Sequence, residues 1–296
     1  LPELSELRAR FIADCGWGDY SDVLAEFRHR DARLMRSVQD EEVVLWFEHD
    51  LYDQVQILQI LDWLALHAPE KTGLSLICIA EHPEVESFHG LTDLLPHHLG
   101  PLLEQRSPLT RDQMALASAG WRAFRSADPR HIEGFLRIDT GAHPFLAPAL
   151  HRHLEEFPGL GDGLSRTERT ILEILAAGVR NPVALFRQAQ DREPAPFMGD
   201  WPFWRHLRQL SRGPAPLVET DEGRDSRFPP RAHNDEDLGR LTVRLTAAGK
   251  ATLEGRLDHA VANGIDRWLG GVHLTSDNLW RWDAGHARLM SPGAVT

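Results

Sequence analysis

The sequence predicts an α/β fold, a partial parallel sheet with a helical layer, followed by an α+β winged-helix-like second domain. Three observations carry this prediction. The stretch Glu42–Leu66 reads as an apolar strand, a polar turn at Glu48-His49-Asp50 and a long apolar helix. A second apolar run, Leu74–Ala80, is continuous and β-branched enough for a strand buried on both faces, and strands joined by a helix run parallel. From Leu164 onward the pattern changes to helix, helix, helix, strand, loop, strand, helix, the order of winged helix-turn-helix units.

Taken in order, Leu4–Ile12 has helical spacing and closes at Cys15-Gly16-Trp17-Gly18. Tyr20–Met35 is a second helix, with Ser21 or Asp22 as its cap. The first strand spans Glu41–Phe47, the helix after it Leu51–His67, with Asp50 and Asp53 resembling a capping pair. No further strand is evident before residue 160. A two-stranded sheet is unstable alone, so the pattern predicts either a homodimeric partner or strands preceding Leu1. Helices are expected at Pro96–Gln105, Thr110–Arg125, Asp128–Ile138 and Pro144–Glu156. The Pro/Gly-rich Phe157–Gly163 marks a domain boundary, which gives an α/β domain at 1–157, a winged-helix-like domain at 164–256 and a tryptophan-rich tail at 257–296. Ser165 and Glu168 form a capping box at the first helix of that second domain. Thr220–Asp237 reads as a loop, and Gly264–Asp283 as one hairpin turning at Thr275–Asn278 with Trp280 and Trp282 opposite Arg281.

Composition narrows the function classes. The apolar helix after Asp50 is interrupted by Asp53, Gln54, Gln56, Gln59 and Asp62, so no membrane span is predicted; the segment Leu1–Arg10 lacks the apolar core of a signal peptide. Two cysteines, Cys15 and Cys78, are no disulfide framework, which points to a reducing, cytoplasmic setting. The net charge of −12 falls wholly on residues 1–159, with 26 acids against 14 Lys/Arg, while residues 160–296 carry 18 of each. An acidic half repels phosphate backbones, so any nucleic-acid contact belongs to the second half.

The candidate site follows from topology. Parallel strands place their carboxyl ends on one edge, where ligands bind in open α/β sheets, and this brings Glu48-His49 and Glu81-His82 together. Carboxylate with imidazole suits general acid/base work, which makes Glu48, His49, Glu81 and His82 the catalytic candidates. It also suits a divalent metal, with His49 and His82 as ligands, although no HExxH or paired CxxC is present. Asp53 at the helix start, with Arg267 and His273 from the tail reaching back over the sheet edge, are the cofactor-binding candidates. Loop histidines His89, His97 and His98 read as surface residues. Glycine-rich phosphate loops and a GxSxG elbow are absent. In the third helix of the second domain, Arg205, Arg208 and Arg212 recur at helical spacing within 199–212 and are the candidate DNA contacts, set against a solvated face over a Trp/Leu core.

The stretches LWFEHDLYDQ, ALHRHLEEFPGLGDGLSRTE and DRWLGGVHL…LWRWD resemble an uncharacterised bacterial family of unknown function, over most of the chain. The resemblance implies a further strand–helix unit ahead of Leu1 and no activity. The segment LTAAGK resembles the wing-to-helix junction of winged-helix regulators. Three functions stay open at this point. The first is a small-molecule-binding or hydrolytic α/β domain, metal-assisted if a divalent ion binds. The others are a ligand-responsive DNA-binding regulator and a protein-interaction adaptor.

Overall fold

The computed structural model describes residues 1–69, 71–86, 88–221 and 240–294. The chain forms two compact units, one of Leu1–His49 with Gln56–Ser118 and one of Asp50–Val55 with Ala119–Thr296. It is a mixed helix-and-sheet protein with small sheets.

In the first unit, helices α1 (Pro2–Cys15) and α2 (Tyr20–Ser37) form an antiparallel pair. Gly16 ends α1 in the left-handed region at φ 77°, where a side chain would be strained. The cap of α2 is Asp19, whose carboxylate accepts the Ser21 N–H, rather than the Ser21 or Asp22 expected from sequence. The buried Ser5 hydroxyl donates to the buried Asp31 carboxylate across the pair.

Strand β1 (Glu42–Glu48) leads into helix α3 (Leu51–His67) and then β2 (Gly73–Ile79). The two strands are parallel and pair from Glu42↔Gly73 to Glu48↔Ile79, as their sequence pattern predicts. The α3 residues Leu58, Leu61 and Leu64 are fully buried. The sheet also has a third strand that the sequence pattern did not reveal. β3 (Ser107–Pro108), which follows helix α4 (Pro96–Glu104), pairs antiparallel with β2. Two exposed residues, one a proline, leave no periodic signal, and the pairing is set by tertiary position. Helix α5 (Arg111–Phe124) follows, capped by the Thr110 hydroxyl accepting the Gln113 N–H.

The second unit continues with α6 (Arg130–Phe135) and α7 (Leu146–Leu154), both shorter than the sequence pattern suggested. Phe157–Gly163, expected as a domain boundary, lies within this unit. Phe157, Asp162 and Leu164 are each at most 3% exposed, and Gly159 exchanges backbone bonds with Leu164 and Gly163. Helix α8 (Arg166–Ala176) opens with the expected capping box. The Ser165 hydroxyl accepts the Glu168 N–H while the Glu168 carboxylate accepts the Ser165 N–H.

Helices α9 (Pro182–Gln190) and α10 (Asp200–Leu210) complete a core of Ile171, Leu172, Leu175, Phe203, Trp204 and Leu207. Strands β4 (Val218–Thr220) and β5 (Val243–Leu245) pair antiparallel, and helix α11 (Ala247–Leu253) follows, capped by Thr246. Most of the loop expected at Thr220–Asp237 lies outside the described residues. The glycine of LTAAGK, Gly249, lies against the Leu217 carbonyl so closely that a Cβ would collide with backbone; Leu217 also accepts from the Thr246 N–H.

The tail differs from the single hairpin expected. After helix α12 (His259–Asn263), β6 (Arg267–Leu269) pairs with β7 (Val272–Leu274), and β8 (Arg281–Asp283) pairs with β9 (Arg288–Met290). The first turn is made by Gly270, at φ 56°, and Gly271, whose N–H donates to the Phe124 carbonyl. A Cβ on Gly271 would overlap the Arg125 carbonyl, so close backbone approach, which period-2 patterning does not encode, moves the hairpin. Trp280, Arg281 and Trp282 are all buried, because Arg281 donates to the Gly159 carbonyl and pairs with Asp258. The alternation predicted for Arg281 is thus overridden by a buried ion pair. Among the described residues no helix is long and apolar enough to cross a membrane.

Candidate functional site

The carboxyl edge of the first unit's sheet carries the sequence-predicted residues. Glu48, half-buried at the end of β1, accepts the Leu91 N–H at 2.6 Å. Gly90 approaches that carboxylate so closely that a Cβ there would meet it, which explains a glycine at this extended position. The Cys78 thiol donates to the Glu48 carbonyl at 3.4 Å, so this cysteine ties β2 to the end of β1. His49 is half-buried, and burial pushes its imidazole below the usual histidine range, which keeps it neutral at pH 7. Glu81 is exposed two residues past the end of β2.

His82 is placed by its own turn, where Nδ1 accepts the Glu84 N–H at 3.2 Å. Its ring lies 4.5 Å from that of His98. His98 is buried, unlike the surface residue expected, while His89 and His97 are exposed. The reason is local: His98 Nδ1 accepts the Leu95 N–H at 3.1 Å, and Nε2 faces the Glu84 carboxylate at 3.3 Å. The ligand atoms of Glu84, His97 and His98 lie within 4.8 Å of one another, a spacing a divalent ion accepts. A metal-bound histidine donates its other ring N–H. Both His82 and His98 use Nδ1 as an acceptor, which puts the proton on Nε2. As arranged, His82, His98 and Glu84 form a hydrogen-bonded network.

In the second unit, Asp50 is buried and caps α3, accepting the Tyr52 N–H at 2.7 Å and the Asp53 N–H at 3.2 Å. Asp53 lies half-buried in the first turn of that helix. The cofactor candidates of the tail are engaged within this same unit. The Arg267 Nη2 pairs with the buried Glu168 carboxylate. His273 Nε2 lies 2.7 Å from Asp266 Oδ1, and its ring stacks on Trp268 across the hairpin at 4.6 Å.

A dense polar network lies here, in residues that the sequence analysis did not single out as a site. Arg152 Nη1 donates to Glu156 Oε1 at 2.6 Å, its Nε and Nη2 bind both oxygens of Glu193, and Nη2 also donates to the Thr167 hydroxyl. Burial alone would raise the Glu156 and Glu168 carboxyls. The charges of Arg152 and Arg267 outweigh it and hold both acids at about 2. Burial pushes the Tyr52 hydroxyl up to about 12, with Glu156 adding to the shift. Burial also lowers His153 to about 4 and shifts His206 and His259 downward, so all three are neutral at pH 7. Beside this network a cavity of about 180 Å³ is lined by Glu168, Gln209, Arg212, His259, Asp266 and Arg267, among others. A second cavity, of about 400 Å³, has Phe157 and Trp282 in its wall with Arg166 and Arg169. One signal could have found this region: the charged run HRHLEEF meets LSRTE and DRWL, and all three belong to the stretches that carry the family resemblance.

The predicted DNA-contacting residues sit on α10 and just past its end. Arg205 and Arg208 are half-buried and Arg212 is exposed. Arg205 lies close enough to Tyr52 to act on its hydroxyl, and Arg212 stands beside Asn263 to Arg267 at the smaller cavity. Arg205 is therefore flanked by another segment of the unit, while Arg212 stays exposed. Compared with protein families, with curated proteins and with solved structures, the chain finds no match.

Proposed function

We propose that the chain is a small-molecule-binding protein whose ligand seat is the carboxyl edge of β1 and β2. The observation that supports this reading is the parallel register ending at Glu48↔Ile79, which sets the carboxyl ends of both strands on one edge. Glu48 and a neutral His49 would then supply a carboxylate and an imidazole lone pair to the ligand. If turnover occurs, Glu48 acts as base and His49 as its acid partner or as ligand to a divalent ion. Native mass spectrometry with elemental analysis, on protein purified without chelator, tests this. A co-purifying small molecule or ion that is lost in both Glu48→Gln and His49→Ala, with the melting transition kept, is the expected result. Retention of the bound species in both variants would place the seat elsewhere.

A second reading is a winged-helix DNA-binding regulator. It is supported by the order of α8, α9, α10, β4, β5 and α11, and by the antiparallel β4–β5 ladder. The position of Arg205 beside Tyr52, together with the balanced charge of residues 160–296, weighs against it.

A further inference from the structure

We propose that the 180 Å³ cavity of the second unit, between the end of α10 and the segment Asp258–Arg267, is a binding site for a small carboxylate that also carries a hydroxyl or ammonium donor. This site is separate in sequence from the sheet edge discussed above and does not depend on it. Its volume matches about six waters or an organic acid of a similar number of heavy atoms.

The chemistry follows from what the lining groups leave unmet. Glu168 is engaged by Arg267 and by the Ser165 N–H, and Asp266 is engaged by His273. Asn263 is fixed by the Ala215 backbone, with Oδ1 accepting its N–H and Nδ2 donating to its carbonyl; Nδ2 also donates to His259 Nδ1, which puts the histidine proton on Nε2. Three capacities remain. Arg267 Nη1 is a buried donor and Gln209 Oε1 a buried acceptor, each without a hydrogen-bond partner among the described residues. Arg212 is an exposed guanidinium with no ion pair among them.

An unmet buried donor or acceptor costs about 1–3 kcal/mol, so a molecule that satisfies both, with small side-chain rotations, is favoured there. The lining charges balance, Arg267 against Glu168 and Arg212 against Asp266, so Arg212 offers its guanidinium to a carboxylate while Asp266 offers its acid to a donor on the same molecule. A carboxylate pairs with a guanidinium in a planar, bidentate manner, and the Gln209 oxygen requires a donor on the same molecule. Acetate satisfies the first demand only.

The test is calorimetric titration of the full chain with L-lactate and L-serine, and with acetate and inorganic phosphate as comparators. Saturable one-to-one binding of lactate or serine is expected, at least about tenfold tighter than acetate, since a lost hydrogen bond to a buried group is of that size. Arg212→Ala and Gln209→Leu should each weaken it about tenfold or more with the far-ultraviolet dichroism unchanged. Arg212 is exposed, so its replacement leaves the fold intact and keeps the experiment decisive. No saturation by either acid up to about 10 mM would overturn the proposal. So would equal affinity for acetate, preference for phosphate, or affinity unchanged in both variants.

Discussion

Arg152 Nη1 and Glu156 Oε1 lie 2.6 Å apart on successive turns, with both side chains 9% exposed, and the remaining guanidinium nitrogens bind Glu193 and Thr167. Removing the arginine leaves the buried Glu156 carboxylate without its arginine and Glu193 with only Arg166, 3.5 Å away. Arg152→Ala should lower unfolding stability by about 3–5 kcal/mol, whereas Arg152→Met combined with Glu156→Leu should cost less than the single change. Urea denaturation of both variants at pH 7 checks this, and a double variant less stable than the single one would contradict it.

His153 makes stability depend on pH. Its Nε2 is buried with no hydrogen-bond partner among the described residues, and its ring is packed beside Phe124 and Phe157. The folded imidazole titrates at about 4 against an ordinary 6.5. Between those values the unfolded chain binds a proton that the folded one refuses, so stability falls as pH drops from about 6.5 to 4. The drop attributable to this group is about 3 kcal/mol. His153→Phe should flatten that part of the stability–pH curve in denaturant titrations. The acids Glu156 and Glu168 act at lower pH, since their stabilisation is lost as pH falls from about 4.5 toward 2.

Glu48 holds the segment after Gly90 through the Leu91 N–H. Glu48→Ala should raise hydrogen exchange at the Leu91 amide by about 10- to 100-fold while leaving exchange along β1 and β2 unchanged, since one charge-assisted bond is worth about 1.5–3 kcal/mol. Unchanged protection at Leu91 would mean the segment is held by other contacts.

Gly271 has no room for a side chain beside the Arg125 and Ser126 carbonyls. Gly271→Ala should cost about 1–3 kcal/mol in thermal unfolding, whereas Gly100→Ala, with open space around its Cβ, should not destabilise.

If α10 reads DNA, a labelled duplex should bind with an affinity that falls steeply with salt and drops in Arg205→Ala/Arg208→Ala. Fluorescence anisotropy at low ionic strength measures this, and a flat titration there removes the reading.

The parallel β1–α3–β2 unit was legible because hydrophobic period and length mark both strands and the helix between them. The capping box at Ser165 and Glu168 was equally readable, as was the run of helices α8 to α10. Legibility failed where long-range placement decides. Ser107-Pro108 becomes a strand only because β2 is beside it, and Phe157–Gly163 looks like a linker until Leu164 and Trp282 bond to it. For the candidate residues the sequence indicated Glu48 and His49 by their position after a strand. It offered no positional cue for Arg152, Glu156, Glu193 and Glu168, since their meeting depends on elements far apart in the chain. Charge inside otherwise apolar stretches was the cue available, and it points to burial rather than to a role.

The ends of β4 and β5 meet side by side. Asp221 donates its N–H to the Thr242 carbonyl, and Thr242 returns one to the Asp221 carboxylate. The stretch joining them therefore has almost no distance to bridge. A designer could replace residues 222–239 with Asn-Gly, which with Arg240 and Leu241 closes a four-residue reversal between Asp221 and Thr242, and the ladder and the Leu217–Gly249 junction behind it should persist. Any property that vanishes on that exchange would then belong to the excised stretch itself.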